Sequence, residues 1–358
     1  MSLVQPLPEG ALDIVGDVHG EYDALLALVG ALGYDDQGQH PQGRTLVFVG
    51  DLCDRGPDSP NVIAWVRRLV EAGRAYMVLG NHEINLLVGD AKDGSAWYFP
   101  ERAAKDAVNY APYAECAEAE KTAMQAFLRQ LPIALERADL RVVHAAWLPE
   151  RIAIARTLKL GQVVEDYCAL RRAAKDTLAT SGLLERYRAE QRAHAAALED
   201  ETAVMQILPA TRDYDFHQQQ ANPLKALTSG IETVAEAPFY ASGRWRFTAR
   251  DTWWHRYQED TPVVIGHYWR LWGGSQARRV ANGHLFADVA PNQWMGARRN
   301  VFCVDYSVGA RWRDRKQGVA LDDTRFKLAA LRWPEQTLMF DDGVCMDTVG
   351  FKASATVA

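Results

Sequence analysis

Three short polar segments concentrate the residues of this chain that could do chemistry, and each directly follows an apolar run. They are GDVHG at 16–20, GDLCDRGPDS at 50–59 and GNHE at 80–83. Two further apolar runs end at single histidines, His144 and His267. Carboxylates crowded at the end of a buried strand repel one another and are costly to desolvate. We therefore expect a cation among them.

The elements that must position these segments follow from the spacing of the apolar residues. Apolar runs at 12–15, 45–49 and 76–79 predict three buried strands. Helical spacing after the first two runs predicts intervening helices, one ending at Gly33 and the next beginning at Asn61 as its N-cap. In an open α/β sheet the C-terminal strand ends share one edge, where ligands bind. The three polar segments should therefore meet.

The rest of the chain predicts a second set of strands and one insertion. Hairpins are predicted at 133–143 and 327–340, and strands at 263–265 and 301–304. Residues 150–208, rich in alanine, glutamate and arginine, predict a helical insertion that covers one edge of the sheet. We expect a single domain over residues 1–358 with this insertion.

Composition excludes several classes of protein. The 358 residues are 48% apolar and 24% charged, which is ordinary for a globular domain. A net charge of -6 argues against general nucleic-acid binding and against binding to membrane surfaces. We find no apolar stretch long enough to span a membrane and no secretory signal. Five scattered cysteines without CxxC spacing fit a reducing compartment. These features predict a cytoplasmic location and no membrane partner.

The polar residues at the strand ends form a mixed oxygen and nitrogen ligand set. Its members are Asp17, His19, Asp51, Asn81, His144 and His267. Imidazole nitrogens favour transition metals or zinc over magnesium. Six ligands exceed the needs of one open catalytic ion, whereas they fit two ions that share a carboxylate. Two ions about 3.5–4 Å apart are the arrangement used for in-line phosphoryl displacement.

The order and content of the motifs resemble the calcineurin-like metallophosphoesterases, and within them the bacterial members of the phosphoprotein phosphatase superfamily. The resemblance covers residues 12–83 and then continues as His144 and His267. It implies an α/β fold, a four-layer αββα sandwich of two mixed sheets. It also implies a metal-dependent phosphatase that hydrolyses phosphomonoesters, as serine/threonine protein phosphatases do, by in-line attack of a metal-bridging hydroxide.

The resemblance also implies a role for each matching residue. Asp17 and His19 would bind the first metal and Asp51 would bridge, while Asn81, His144 and His267 would complete the second site. His82 would protonate the leaving group, with Asp54 orienting its imidazole. Arg55 would bind the substrate phosphate. Arg244, Arg246 and Arg250 are candidates for the second phosphate-binding arginine, and Arg250 is favoured. Manganese is the expected metal, with iron or zinc as alternatives.

Departures from the family pattern leave more than one class of substrate to be considered. Alanines follow His144 where the family usually has two glycines, and no groove for a protein substrate is recognisable near the C-terminus. Eight tryptophans lie in the second half, and they could be core residues or a stacking platform for a nucleobase. A phosphoprotein is the first expectation. The alternatives are hydrolysis of dinucleoside polyphosphates or of RNA phosphate ends, and a non-catalytic metal-binding scaffold, which would need neither His82 nor Arg55.

Overall fold

A computed structural model describes residues 1–241, 243–273 and 285–352. In chain order the strands are β1 (Val4–Pro6), β2 (Leu12–Val15), β3 (Thr45–Phe48), β4 (Ala75–Met77), β5 (Ala134–Arg137), β6 (Leu140–Val143), β7 (Glu232–Ala241), β8 (Arg244–Arg250), β9 (Val263–Ile265), β10 (Val301–Cys303), β11 (Ala329–Trp333), β12 (Thr337–Phe340) and β13 (Cys345–Asp347). The helices are α1 (Tyr22–Leu32), α2 (Ser59–Glu71), α3 (Asn81–Val88), α4 (Ala103–Tyr110), α5 (Glu118–Leu128), α6 (Pro149–Thr157), α7 (Val163–Thr180), α8 (Leu183–Ala193), α9 (Ala195–Glu199), α10 (Pro209–Ala221), α11 (Pro223–Ser229) and α12 (Arg311–Gln317).

The first sheet has the strand order β13-β12-β11-β2-β3-β4. Strands β2, β3 and β4 are parallel, with Ile14 opposite Val47 and Val47 opposite Tyr76. Strands β11, β12 and β13 add an antiparallel half. Because the three parallel strands are in register, the polar segments that follow them emerge at one edge of the sheet.

The second sheet has the order β1-β5-β6-β9-β10. The predicted hairpin is β5 and β6, and β6, β9 and β10 run parallel to one another. His144 directly follows β6, and His267 and Asp305 each lie two residues beyond β9 and β10. This sheet therefore delivers its own polar strand ends to the same region.

One buried apolar layer joins the two sheets. Ile14 and Val47 of the first sheet share it with Val142, Val264 and Phe302 of the second. Strand residues on the opposite faces belong to a second cluster, together with side chains of the helices. Alternation along each strand thus places one face against the partner sheet and the other against helices. The predicted sandwich of two mixed sheets with helices is confirmed.

The helical part of the chain is longer than predicted. Helices α6 to α11 occupy most of 149–229, beyond the predicted limit of 208, and the β7–β8 hairpin follows. Strand β7 has mostly exposed or half-exposed residues, so it lacks the alternating apolar pattern that would have identified it. Within the described ranges, no helix is long and apolar enough to cross a membrane.

Helix α2 begins earlier than expected. Its N-cap is Asp58, not Asn61, and the Asp58 carboxylate accepts from the Asn61 amide at 3.2 Å. The helix starts at Ser59, with Pro60 in its first turn, where a missing amide hydrogen costs nothing. This places the Ser59 hydroxyl where it accepts a hydrogen bond from the Asp54 amide.

Candidate metal centre and active site

The six predicted metal ligands lie together where the two sheets present their strand ends. Five have side chains almost fully removed from solvent, and Asn81 is half-buried. Asp17 and His19 lie in the turn between β2 and α1, and Asp51 follows β3. Asn81 opens α3, whereas His144 and His267 come from the other sheet. Residues from five chain segments therefore line one buried site.

Asp51 lies at the centre of this group. Its Oδ2 is 3.2 Å from Nε2 of His144 and 3.9 Å from Nε2 of both His19 and His82. Two sets of side chains place a ligand atom each within 4.8 Å of one another, His19–Asp51–His82 and Asp51–His144–His267. Asp51 is common to both sets, as a bridging ligand would be.

Asp17 and Asn81 complete the two sets. Oδ2 of Asp17 lies 3.9 Å from Nε2 of His19, and Oδ1 of Asn81 lies 2.9 Å from Nδ1 of His267. The first of the two sets contains His82, to which the sequence assigned proton transfer and not metal binding. Asp17, the predicted ligand, lies close to His19 of the same set. The metal assignment of all six residues remains a prediction.

Hydrogen bonds to main-chain carbonyls orient two of the histidines for metal binding. Nδ1 of His19 donates to the Cys53 carbonyl at 2.9 Å, and Nδ1 of His144 donates to the Val49 carbonyl at 2.8 Å. With Nδ1 held in this way, each ring turns its Nε2 toward Asp51, and this is the nitrogen that would bind metal after any proton on it is lost. Nε2 of His144 is buried, and Oδ2 of Asp51, 3.2 Å away, is the group it faces among the described residues. This donor set fits divalent transition metals.

The electrostatics of the site also favour bound cations. Burial alone would lower the pKa of His144, but the Asp51 and Asp17 carboxylates raise it to about 10. Burial, reinforced by Asp305, raises the pKa of Asp17 well above its usual value. Burial opposes ionisation of Asp51 as well, yet His144 and His82 hold its pKa well below normal. Without metal, protons must compensate the buried carboxylates, and divalent ions would replace them.

A buried chain of hydrogen bonds holds the predicted acid pair. Nδ1 of His82 bonds to Oδ2 of Asp54. The other oxygen, Oδ1, accepts from the Trp97 indole at 2.6 Å, and the Asp54 amide donates to the Ser59 hydroxyl at 2.9 Å. Asp54 is thereby fixed on three sides and holds the imidazole. The sequence did not identify Trp97, because no local pattern connects it to a residue 43 positions earlier.

Two of the predicted phosphate-binding arginines lie at the site. Arg55 donates to Nε2 of His19 at 2.9 Å, and its guanidinium lies 4.6 Å from the ring centre of Trp269. Arg250 donates to the His267 carbonyl at 3.1 Å. Arg244 instead bonds to Gln191 of α8. Of the three candidates for the second arginine, Arg250 therefore hydrogen-bonds to a segment that carries a predicted metal ligand, whereas Arg246 lines the same cavity as Asn81 and His267.

Unfavourable backbone conformations are concentrated at this site. Nine non-glycine residues in the described ranges have positive φ angles, and six of them are His19, Asp51, Asp54, Arg55, His267 and Trp269. A backbone conformation of this kind raises the free energy of the folded state by about 1–3 kcal/mol, so it is kept only where surrounding contacts enforce it. Strain of this kind is typical of a functional site.

Glu83 supplies part of that enforcement. Its buried carboxylate accepts from the amides of Asp51, Leu52 and Gly80 at 2.8–2.9 Å. Gly80 must lack a side chain, because a Cβ there would lie 2.2 Å from Oδ1 of Asp51. Glu83 thus joins the second and third motifs and is not itself aimed at the metal ligands.

Asp305 plays the corresponding part in the second sheet. Its carboxylate accepts from the Trp269 amide at 2.6 Å and from the Ser307 amide at 2.8 Å. These bonds hold the turn that carries His267. The strand end at Asp305 was expected from the sequence, but its contact with the Trp269 turn was not.

The site opens into a cavity of about 580 Å³, here called the active-site cavity. Arg55, Asn81, His82, Arg250 and His267 line its inner end. Residues of α7, α10, α11 and the β7–β8 hairpin line its outer wall. Trp253 and Trp254 are core residues and not the alternative nucleobase platform, because both rings are buried.

Comparison with known proteins places part of the chain in a family. The family model for calcineurin-like phosphoesterases matches residues 11–148. The match covers 138 of the 358 residues, and this stretch is similar to the calcineurin-like phosphoesterases, in agreement with the resemblance inferred from the motifs.

Curated relatives match a shorter stretch. An asymmetrical bis(5'-nucleosyl)-tetraphosphatase, PrpE of Halalkalibacterium halodurans, is 53% identical over 73 residues, which are 20% of this chain and 30% of the relative. A symmetrical bis(5'-nucleosyl)-tetraphosphatase of Yersinia pestis is 47% identical over 74 residues, 21% of this chain and 23% of the relative. The chain thus spans less than a third of either relative's length.

Among solved structures, a cold-active protein-tyrosine phosphatase of Shewanella aligns over 96% of this chain and 82% of its own length. That alignment has 17% identity and a TM-score of 0.45.

Proposed function

We propose that this protein is a metal-dependent phosphoesterase that hydrolyses dinucleoside polyphosphates of the diadenosine tetraphosphate type. The observation that carries the proposal is the 47–53% identity to bis(5'-nucleosyl)-tetraphosphatases. The phosphoprotein substrate expected first from the motifs has no comparable support, so the proposal takes the nucleotide alternative. The same relatives argue against a non-catalytic scaffold.

The active-site cavity supports a polyanionic substrate. Its lining includes Arg55, Arg171, Lys225, Arg246 and Arg250. Two other basic residues of the lining are already neutralised, Lys92 by Asp90 and Arg102 by Asp106. Its volume falls within the range of about 300–1,000 Å³ that is usual for small-molecule sites.

Six side chains are proposed to hold two divalent ions: Asp17, His19, Asp51, Asn81, His144 and His267. Such ions lower the pKa of bound water and neutralise phosphate charge. Manganese is the metal we propose, with iron or zinc as alternatives. The protein's own contribution is to fix the ligands through Glu83, Asp305 and the histidine–carbonyl bonds.

Proton transfer is assigned to His82. With Nδ1 held by Asp54, its remaining nitrogen, Nε2, is available to protonate the leaving oxygen. An imidazole held in this way can donate a proton to an alkoxide leaving oxygen. Arg55 and Arg250 are proposed to bind the oxygens of the scissile phosphate, because a guanidinium fork matches two phosphate oxygens.

The test compares substrates directly. Purified protein with added manganese is assayed in parallel on diadenosine tetraphosphate, p-nitrophenyl phosphate and a phosphopeptide. We expect kcat/KM to be highest for diadenosine tetraphosphate, and Asp51→Asn to remove activity together with bound metal. A preference for the phosphopeptide would reject the proposed substrate. Undiminished turnover by Asp51→Asn would reject the metal assignment.

A further inference from the structure

The outer wall of the active-site cavity is built by a part of the chain that lies beyond the matched domain. Tyr167 and Arg171 of α7, Asn222 and Lys225 beside and within α11, and Arg246 of β8 line this wall. The same cavity contains His82 and His267. A ligand that reaches the catalytic residues therefore has the helical insertion on its other side.

Cations on this wall lack carboxylate partners within ion-pair distance. Among the described residues, neither Arg171, Lys225 nor Arg246 forms a salt bridge within 4.0 Å. The ammonium of Lys225 has one long hydrogen bond, 3.4 Å to Oε1 of Gln218. Burial lowers the pKa of Lys225. Such a poorly satisfied, desolvated cation is stabilised by an anion.

Several acids lie near this wall. Asp90 and Asp93 line the cavity, but Asp90 pairs with Lys92 at 2.8 Å and Asp93 lies 3.6 Å from Arg102. Glu232 lines the same cavity, and its carboxylate accepts from the Thr248 hydroxyl at 2.5 Å. Asp215 lies at the adjoining end, where burial and then Glu232 raise its pKa to about 6. Lys225 and Arg246 line an adjoining pocket together with these two carboxylates, whereas Arg171 lines the active-site cavity and not that adjoining pocket.

We propose that the helical insertion forms a subsite for the phosphates beyond the scissile one, with Lys225 and Arg171 as its principal contacts. The inference rests on the proposed function and assigns a role to the insertion. An oligophosphate chain suits the geometry because it carries one charge per phosphate and can lie along a row of separated cations. Arg55 and Arg250 would hold its inner end and the insertion its outer end.

The test measures binding of the long substrate independently of its hydrolysis. Diadenosine tetraphosphate inhibits turnover of p-nitrophenyl phosphate whether or not it is itself cleaved, so Ki is obtained in either case. The assay keeps manganese in constant excess. The variants are Lys225→Met and Arg171→Gln. Their controls are Lys175→Met and Arg172→Gln, two exposed residues of α7 that do not line the cavity.

We expect each test variant to raise the ratio of this Ki to the KM for p-nitrophenyl phosphate about tenfold, because each variant removes one charge-assisted hydrogen bond to the long substrate. In the double variant the same ratio should rise about a hundredfold. In the two control variants it should equal the wild-type ratio. Calorimetric titration with a methylene-bridged analogue checks the same change without turnover.

The outcomes separate the two proposals. If wild type is inhibited but does not cleave diadenosine tetraphosphate, the proposed function fails, and the subsite stands if the variants relieve inhibition. If wild type cleaves it and the variants bind it as well as the controls do, only the subsite is wrong. Absence of any inhibition of wild type overturns both.

Discussion

Replacing Trp97 by phenylalanine should selectively impair proton donation to the leaving group. The change removes one hydrogen bond, the 2.6 Å contact from the indole to Oδ1 of Asp54. Both residues are buried, with 3% and 1% of their surfaces exposed, so water cannot replace the bond without rearrangement. Trp97 touches neither substrate nor metal ligand in this scheme, and it is a positioning residue.

The magnitude follows from the type of bond. A hydrogen bond to a charged group contributes about 1.5–3 kcal/mol, which corresponds to roughly 10- to 150-fold in rate if it acts fully on the transition state. Loss of the bond should loosen Asp54 and with it the imidazole of His82. The effect should grow as the leaving group becomes more basic, because a good leaving group needs less protonation.

The assay is a series of aryl phosphates from p-nitrophenyl phosphate to phenyl phosphate. Trp97→Phe should reduce kcat most for phenyl phosphate and least for p-nitrophenyl phosphate. Trp254→Phe is the matched control, since Trp254 is fully buried and its indole nitrogen has no hydrogen-bond partner among the residues that the structure describes. An equal loss across the series, or the same profile in both variants, would refute the positioning role and leave Trp97 as a packing residue.

Three further predictions concern the acid and the metals. His82→Asn should reproduce the leaving-group dependence of Trp97→Phe more strongly, and the double variant should add little to it; additive losses would separate the two residues. Removing metal should speed hydrogen exchange in residues 50–59, and unchanged protection would show that the hydrogen bonds of the protein hold that loop without metal. Because the pKa of His144 is about 10 in the metal-free protein, that ring is protonated at pH 7 and must lose its proton to bind metal. Metal affinity should therefore rise with pH below 10, with proton release measurable by calorimetry in buffers of different ionisation enthalpy.

The sequence by itself determined the parallel strands of the first sheet and the residues that converge at their ends, whereas the two-sheet sandwich was implied by the family resemblance. Asp17, Asp51 and Asn81 each follow a strand of the same parallel set, and parallel strands in register bring such residues to one edge. Apolar spacing also identified the hairpin that carries His144. These features are local, because a few consecutive apolar residues form each strand and the polar residues that directly follow them end it.

The tertiary structure decided which distant residues complete the site. Trp97 reaches Asp54, Arg250 contacts the His267 segment while Arg244 turns away, and Lys225 faces the cavity. The exposed β7–β8 hairpin likewise lacked the apolar alternation from which strands are recognised. None of these contacts has a fixed sequence spacing, because each depends on how helices and loops pack against the sandwich. Packing, and not local sequence pattern, therefore determines which residues hold His82 and Asp54 in place and what shape the active-site cavity has.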